Sequence, residues 1–152
     1  MRRHSIALAF FGLTIVTSSV SARELNELEG ITYSNETPPY AAVVAPDAQI
    51  PLPLNPDQFK DPEIREMYKV AFLLRRVLLQ LPCHCACHEG AGHKSLYACY
   101  VANVGDACYS AECEICLEEA KIADAMNKEG ASIEDIRGAI AARFGDSSGH
   151  SH

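Results

Sequence analysis

The sequence predicts a small all-α domain, a bundle of three to four helices with a Cys/His-rich loop, preceded by a disordered Pro-rich tether. Three observations lead there. Apolar residues recur at spacings of three and four in separate stretches of the second half of the chain. No stretch alternates apolar and polar residues as a half-buried strand would, and no internal repeat is present. Pro38, Pro39, Pro46, Pro51, Pro53 and Pro56 interrupt any helix or central strand ahead of that region.

Residues 1–22 read as a signal peptide. Arg2, Arg3 and His4 give a basic start, residues 6–16 an apolar run, and Val20-Ser21-Ala22 the small side chains of a cleavage site. The run is short of the roughly 20 residues that span a bilayer; the alternative is an anchor that is retained. The residues after the paired arginines fit twin-arginine export poorly, and no cysteine near the cut offers a lipid attachment site. Cleavage after Ala22 leaves 130 of the 152 residues, and losing Arg2 and Arg3 takes the formal charge from −7 to −9. Such acidity disfavours nucleic acid and anionic membrane surfaces as partners and mildly favours cations. The expected location is periplasmic or extracellular, without stable membrane insertion after signal cleavage.

Residues 23–59 form the expected tether, extended apart from a short apolar contact at 41–44. The domain spans 60–145, and 146–152 is a disordered tail. Asp61 caps the first helix, with Pro62 in its first position. This helix is expected to run to residue 80, burying Ile64, Met67, Tyr68, Ala71, Leu74 and Leu78, with Phe72, Leu73, Val77 and Leu79 widening the stripe. Arg75 and Arg76 suit its C-terminal dipole, and Pro82 stops it. A short helix is expected over 94–102, carrying Leu96, Cys99 and Tyr100 on one side. A third, over 112–129, carries Cys113, Cys116, Leu117, Ala120 and Ala123 on one face and ends at Gly130. Ser132 and Asp135 form a capping box for the last helix, which turns Ile133, Ile136, Ile140 and Phe144 inward and ends at Gly145.

The chemistry lies in the cysteines. Pro82-Cys83-His84-Cys85-Ala86-Cys87-His88 holds three thiols and two imidazoles, and Cys113-Glu114-Ile115-Cys116 a further pair. Cys99 and Cys108 lie between them. Seven cysteines in an exported chain leave at least one thiol free, liganded or bonded to another chain. In an extended loop, alternate Cα atoms lie about 6.5–7 Å apart, at the limit for a disulfide, so a Cys-x-Cys bridge needs a turn and is strained and easily reduced. A curled loop would instead converge its thiolates on one soft ion. On a helix, positions 113 and 116 are neighbours in the first turn, where the dipole favours thiolate. Haem attachment is excluded, because neither cluster reads Cys-x-x-Cys-His.

Over 81–145 the chain resembles the exported proteins named for a Pro-Cys-Tyr-Cys-Gly-Cys motif, the CYCxC family that includes selenoproteins. The matching pieces are Pro82-Cys83-His84-Cys85-Ala86-Cys87, Gly92-His93-Lys94-Ser95-Leu96 with Cys99, Cys113-Glu114-Ile115-Cys116, and the closing helix to Phe144-Gly145. His84 stands where the family has Tyr, and Ala86 where it has Gly. Relatives tend to carry a His shortly before the Cys-x-x-Cys; here that stretch reads Ala107-Cys108-Tyr109-Ser110, so Cys108 substitutes for it or a ligand is missing. The resemblance implies export and a thiol-centred role without a settled activity. Many relatives are lipoproteins, whereas this chain lacks that cysteine. Selenocysteine in others implies redox chemistry or very soft metal ligation.

Three functions remain open. The first is a module binding Cu(I) or Zn(II) through Cys83, Cys85, Cys87, Cys113 and Cys116, with His88, His93 and Cys99 as further candidate ligands; soft thiolates with imidazole suit both ions. The second is a thiol-disulfide redox protein using the same five cysteines and acting on a thiol or disulfide partner protein. The third is a structural domain stapled by disulfides that binds a partner. His150 and His152 read as tail residues, and Tyr97, Tyr100 and Tyr109 as packing. The first two readings require the loop sulfurs to meet those of the third helix in one pocket.

Overall fold

The computed structural model describes residues 22–104, 106 and 108–145. The expected tail and all but the last residue of the expected signal peptide lie outside the described residues. Helix dominates, as the patterning predicts, and a small two-stranded sheet accompanies it. In chain order come α1 (Ala22–Leu25), β1 (Ile31–Tyr33), β2 (Ala41–Val44), a 3-10 turn (Pro56–Gln58), α2 (Pro62–Leu73), α3 (Arg75–Leu79), α4 (Cys87–Gly90), α5 (Ala98–Val101), a second 3-10 turn (Ser110–Glu112), α6 (Glu114–Lys128) and α7 (Ile133–Phe144).

The stretch expected to be a disordered tether is the largest correction. β1 and β2 pair antiparallel, with Ile31 opposite Val44 and Thr32 opposite Val43. Leu25, Ala41, Ala48 and Phe59 are buried in the core. Proline removes backbone donors but leaves every carbonyl free to accept, and here the helices supply the donors. The Arg76 guanidinium donates to the carbonyls of Ala45, Pro46 and Ala48 at 2.8, 2.6 and 3.4 Å. The Tyr97 hydroxyl donates to the Pro51 carbonyl at 2.6 Å; in the opposite sense, the Leu54 N–H donates to the Tyr100 carbonyl at 3.1 Å. Gly30, at φ +79°, lets the hairpin close: a Cβ there would lie 2.9 Å from that of Ala45.

α2 begins as its sequence dictates, with the Asp61 carboxylate accepting from the Glu63 and Ile64 N–H groups at 2.8 and 3.2 Å. The expected single helix to residue 80 breaks at Leu74 (φ −101°, ψ 21°), and α3 follows. Phe72 and Leu73 are exposed rather than widening the stripe. At about 100° per residue Leu73 points almost opposite the face of Met67, Tyr68 and Ala71, and Phe72 lies at its edge; burying both would need a second apolar layer that a chain this small does not build. After the break, Leu78, Leu79 and Leu81 return to the core.

α5 is shorter than expected and is buried on every side, from Ala98 through Val101. It forms the central strut of the fold. Around it the aromatic rings cluster: Phe59 stacks on Tyr68 with centroids 4.2 Å apart, and Tyr68 meets Tyr100 edge-on at 5.1 Å. The Ser110 hydroxyl donates to the Tyr68 oxygen at 2.7 Å. α7 packs on α6, begins at the predicted Ser132–Asp135 capping box and buries Ile136 and Ile140, with Ile133 and Phe144 half-buried.

Arg76→Met keeps the side-chain bulk and removes the donors that hold the 45–48 loop. It is expected to lower the unfolding free energy by about 2 kcal/mol, in the range for bonds to a charged group, and to expose that loop to proteolysis. Unchanged urea midpoints and cleavage rates would show that the wrap is held otherwise.

Candidate functional site

Pro82 follows the end of α3 at Leu79, and the Leu96 N–H donates to the Leu81 carbonyl at 2.8 Å, pinning the mouth of the cysteine loop. The loop curls rather than extends. Ala86 adopts a left-handed conformation, φ 62° and ψ 6°, the geometry that glycine provides without steric cost. Its carbonyl then accepts from the N–H groups of Glu89 and Gly90 to start α4. Opposite the loop, Cys113 is the N-cap of α6 and Cys116 lies in its first turn.

These elements bring together sulfurs from three stretches of chain. Cys83 Sγ lies 3.1 Å from Cys85, 3.4 Å from Cys116 and 3.8 Å from Cys99. Cys116 lies 3.4 Å from Cys85. All four sulfurs fall within 4.8 Å of one another, and Cys83, Cys99 and Cys116 are buried. A tetrahedral ion with metal–sulfur bonds of about 2.3 Å sets its ligand sulfurs about 3.8 Å apart, so this set needs only small adjustments to fit a soft cation. Cys99 thus joins the set, whereas Cys113 stays at its rim, half-buried.

The expectation that both α6 cysteines favour thiolate holds for one of them. The neighbouring Cys116 and Cys85 thiols and the Cys116 and Ile115 backbone hold the Cys113 pKa far below the ordinary thiol range. Cys116 is pushed well up by Cys113, by its other sulfur neighbours and by burial. Cys85, also beside Cys113, is likewise raised. At Cys83, bonds from Cys116 and Cys85 favour the thiolate, but Cys99 and burial outweigh them and the pKa is raised.

Cys87 is bonded to Cys108 in a disulfide, with Cα atoms 5.6 Å apart. Its sulfur also lies 2.9 Å from Cys85 and forms a second group with His93 and Cys99, all three buried and within 4.8 Å. His93 Nδ1 is 3.3 Å from Cys99 Sγ, and burial lowers the His93 pKa, favouring the neutral, ligating imidazole. His88 is turned elsewhere: its ring nitrogens have no hydrogen-bond partner, Nε2 lies 3.8 Å from Glu89, and it lines a cleft of about 180 Å³ with Thr37, Pro38, His84 and Ala86. His150 and His152 lie outside the described residues.

Sequence reasoning missed Glu119. In the run Glu118-Glu119 it reads as solvated surface, yet it is fully buried. Its Oε1 accepts from the His84 backbone N–H and lies 2.9 Å from His84 Nδ1. Its position three residues after Cys116, hence on the same helix face, is the one available signal. Desolvation raises its pKa, opposed by the bonds from His84.

The family model described as a protein of unknown function with PCYCGC motif matches residues 20–151. No curated protein and no solved structure matches the chain.

Because the folded-state pKa of Glu119 lies above its ordinary value of 4.5, its contribution to stability is full below that value and is lost as pH rises through the folded-state pKa. Relative to Glu119→Gln, the reduced wild-type protein is expected to lose stability as pH rises from 4.5, then level off. Urea midpoints of both proteins at matched pH test this; a difference independent of pH would refute the raised pKa.

Proposed function

We propose that this chain, which belongs to the family of proteins of unknown function with the PCYCGC motif, is an exported module that binds one soft metal ion, Cu(I) or Zn(II), through clustered thiolates. The observation that carries the reading is the mutual approach of Cys83, Cys85, Cys99 and Cys116 within 4.8 Å in a mostly buried pocket. Four protonated thiols gain little from such crowding, whereas four thiolates around a cation satisfy charge and geometry together. Cys113 stands beside the set as the acidic, half-buried sulfur that meets an arriving cation first. The bound ion would supply the positive charge that lets the buried thiols ionise. Export is supported by the pattern of residues 1–22, and among the described residues no helix is long and apolar enough to cross a membrane. The expected partners are the ion and a protein that delivers or receives it, not nucleic acid or a membrane surface.

Protein with the Cys87–Cys108 bridge intact and its other five thiols free, titrated with Zn(II) or Cu(I) against a chromophoric chelator, is expected to bind one ion tightly. Cys116→Ser and Cys99→Ser should weaken binding by more than about 100-fold, and Cys113→Ser by about 10-fold, nearer the cost of an outer-shell loss. Retention of neither ion by the wild type in this form would end this reading.

One distance favours a second reading, thiol-disulfide exchange: Cys85 Sγ lies 2.9 Å from Cys87, itself bonded to Cys108. Once Cys85 has lost its proton to solvent, its sulfur attacks Cys87 Sγ. A Cys85–Cys87 bond forms, the Cys87–Cys108 bond breaks, and the electron pair leaves on Cys108. A redox role requires a reduction potential above about −300 mV and exchange with a small disulfide. A lower potential without exchange, measured by thiol trapping against a glutathione buffer, would mark the bridge as inert.

A further inference from the structure

The second ligand group is incomplete as a metal site for one covalent reason. Cys87, His93 and Cys99 are all buried, and their ligand atoms lie within 4.8 Å of one another, but Cys87 is committed to Cys108. A metal ligand must be a thiolate, and a sulfur in a disulfide carries no such charge. We propose that the Cys87–Cys108 disulfide is a redox lock on a second metal position: once opened by a dithiol, it frees Cys87 to join His93 and Cys99 around a second ion. This rests on the metal-binding reading above and extends it from one ion to two.

The two positions are contiguous. Cys99 belongs to both groups, 3.8 Å from Cys83 on one side and 3.3 Å from His93 Nδ1 on the other. A thiolate sulfur has lone pairs enough for two cations, so Cys99 serves as the bridging ligand. The backbone already supports this arrangement, because the His93 N–H donates to the Cys87 carbonyl at 3.3 Å. Cys87 and His93 with the shared Cys99 make a three-ligand position, which leaves a fourth site open for water or for a donor from a partner.

The lock opens in a balanced reaction. The dithiol, as thiolate, attacks Cys108, the half-buried member of the pair, while Cys87 is buried. A mixed disulfide forms at Cys108 and the electron pair leaves on Cys87. The second thiol of the reductant resolves the mixed disulfide, so the dithiol becomes a cyclic disulfide and its two protons end on Cys87 and Cys108. Metal binding then releases the Cys87 proton to solvent.

Native mass spectrometry of the full chain with excess Zn(II) reads both events, since opening the disulfide adds two hydrogens and each ion adds its own mass. The disulfide-bonded chain is expected to hold one zinc, and the chain reduced with a dithiol and desalted anaerobically to hold two. Cys108→Ser should hold two without reductant, and adding His93→Ala to it should return the count to one. One zinc in both the reduced wild type and Cys108→Ser, or two in the disulfide-bonded chain, overturns the lock. No zinc in any form removes the metal-binding reading itself and this inference with it. Should Cys108→Ser fail to fold, the two redox forms of the wild type decide alone.

Discussion

Four sulfur atoms within 4.8 Å of one another cannot all carry negative charge unless a cation shares the space. The pocket meets this constraint by unequal division. Cys113, half-buried at the head of α6 and outside the four, favours the thiolate, and Cys116 and Cys85 beside it favour the thiol. The scaffold crowds these atoms by force of packing: Cys99 sits on a helix buried on every side, and Cys116 on a helix clamped between α2 and α7. Neither element can swing out to relieve the crowding without opening the core.

That scaffold is completed from an unexpected direction. The hairpin and the chain after it pack on α3 and α5, with carbonyls accepting from Arg76 and Tyr97 and the Leu54 N–H donating to the Tyr100 carbonyl. A chain with a modest core gains apolar cover from Leu25, Ala41 and Phe59, area that the helices alone do not supply. The sulfur pocket therefore depends on a segment that carries none of its ligands.

The helices were legible because their signals are local. Asp61-Pro62, the Ser132–Asp135 box and Gly130 act within one turn, and the starts of α2 and α7 follow from them. What escaped was decided at long range. Six prolines say what 23–59 cannot be, and only the guanidinium donor in α3 and the hydroxyl donor at the N-cap of α5 say what it becomes. The break at Leu74 depends on how many apolar faces the small core can accept. At the site, both chemical readings required the loop sulfurs to meet those of α6, but spacing left the loop extended or curled, and the meeting of Cys83 and Cys85 with Cys116 depends on the left-handed turn at Ala86. The inclusion of Cys99 required knowing that α5 is buried all round. The Cys87–Cys108 pairing is a matter of connectivity, which spacing does not determine. Glu119 was hidden by composition: a carboxylate beside another carboxylate looks like surface until a buried His84 is found against it.

Cys116 and Glu119 stand one turn apart on α6 and grip adjacent residues of the loop by different chemistries, sulfur to sulfur at Cys83 and carboxylate to backbone and ring at His84. α6 thus holds the loop in two ways, only one of which takes part in sulfur chemistry. Oxidation or ion exchange at the first leaves the second engaged, so the cysteines can pass through cycles of reaction while the polypeptide around them keeps its place.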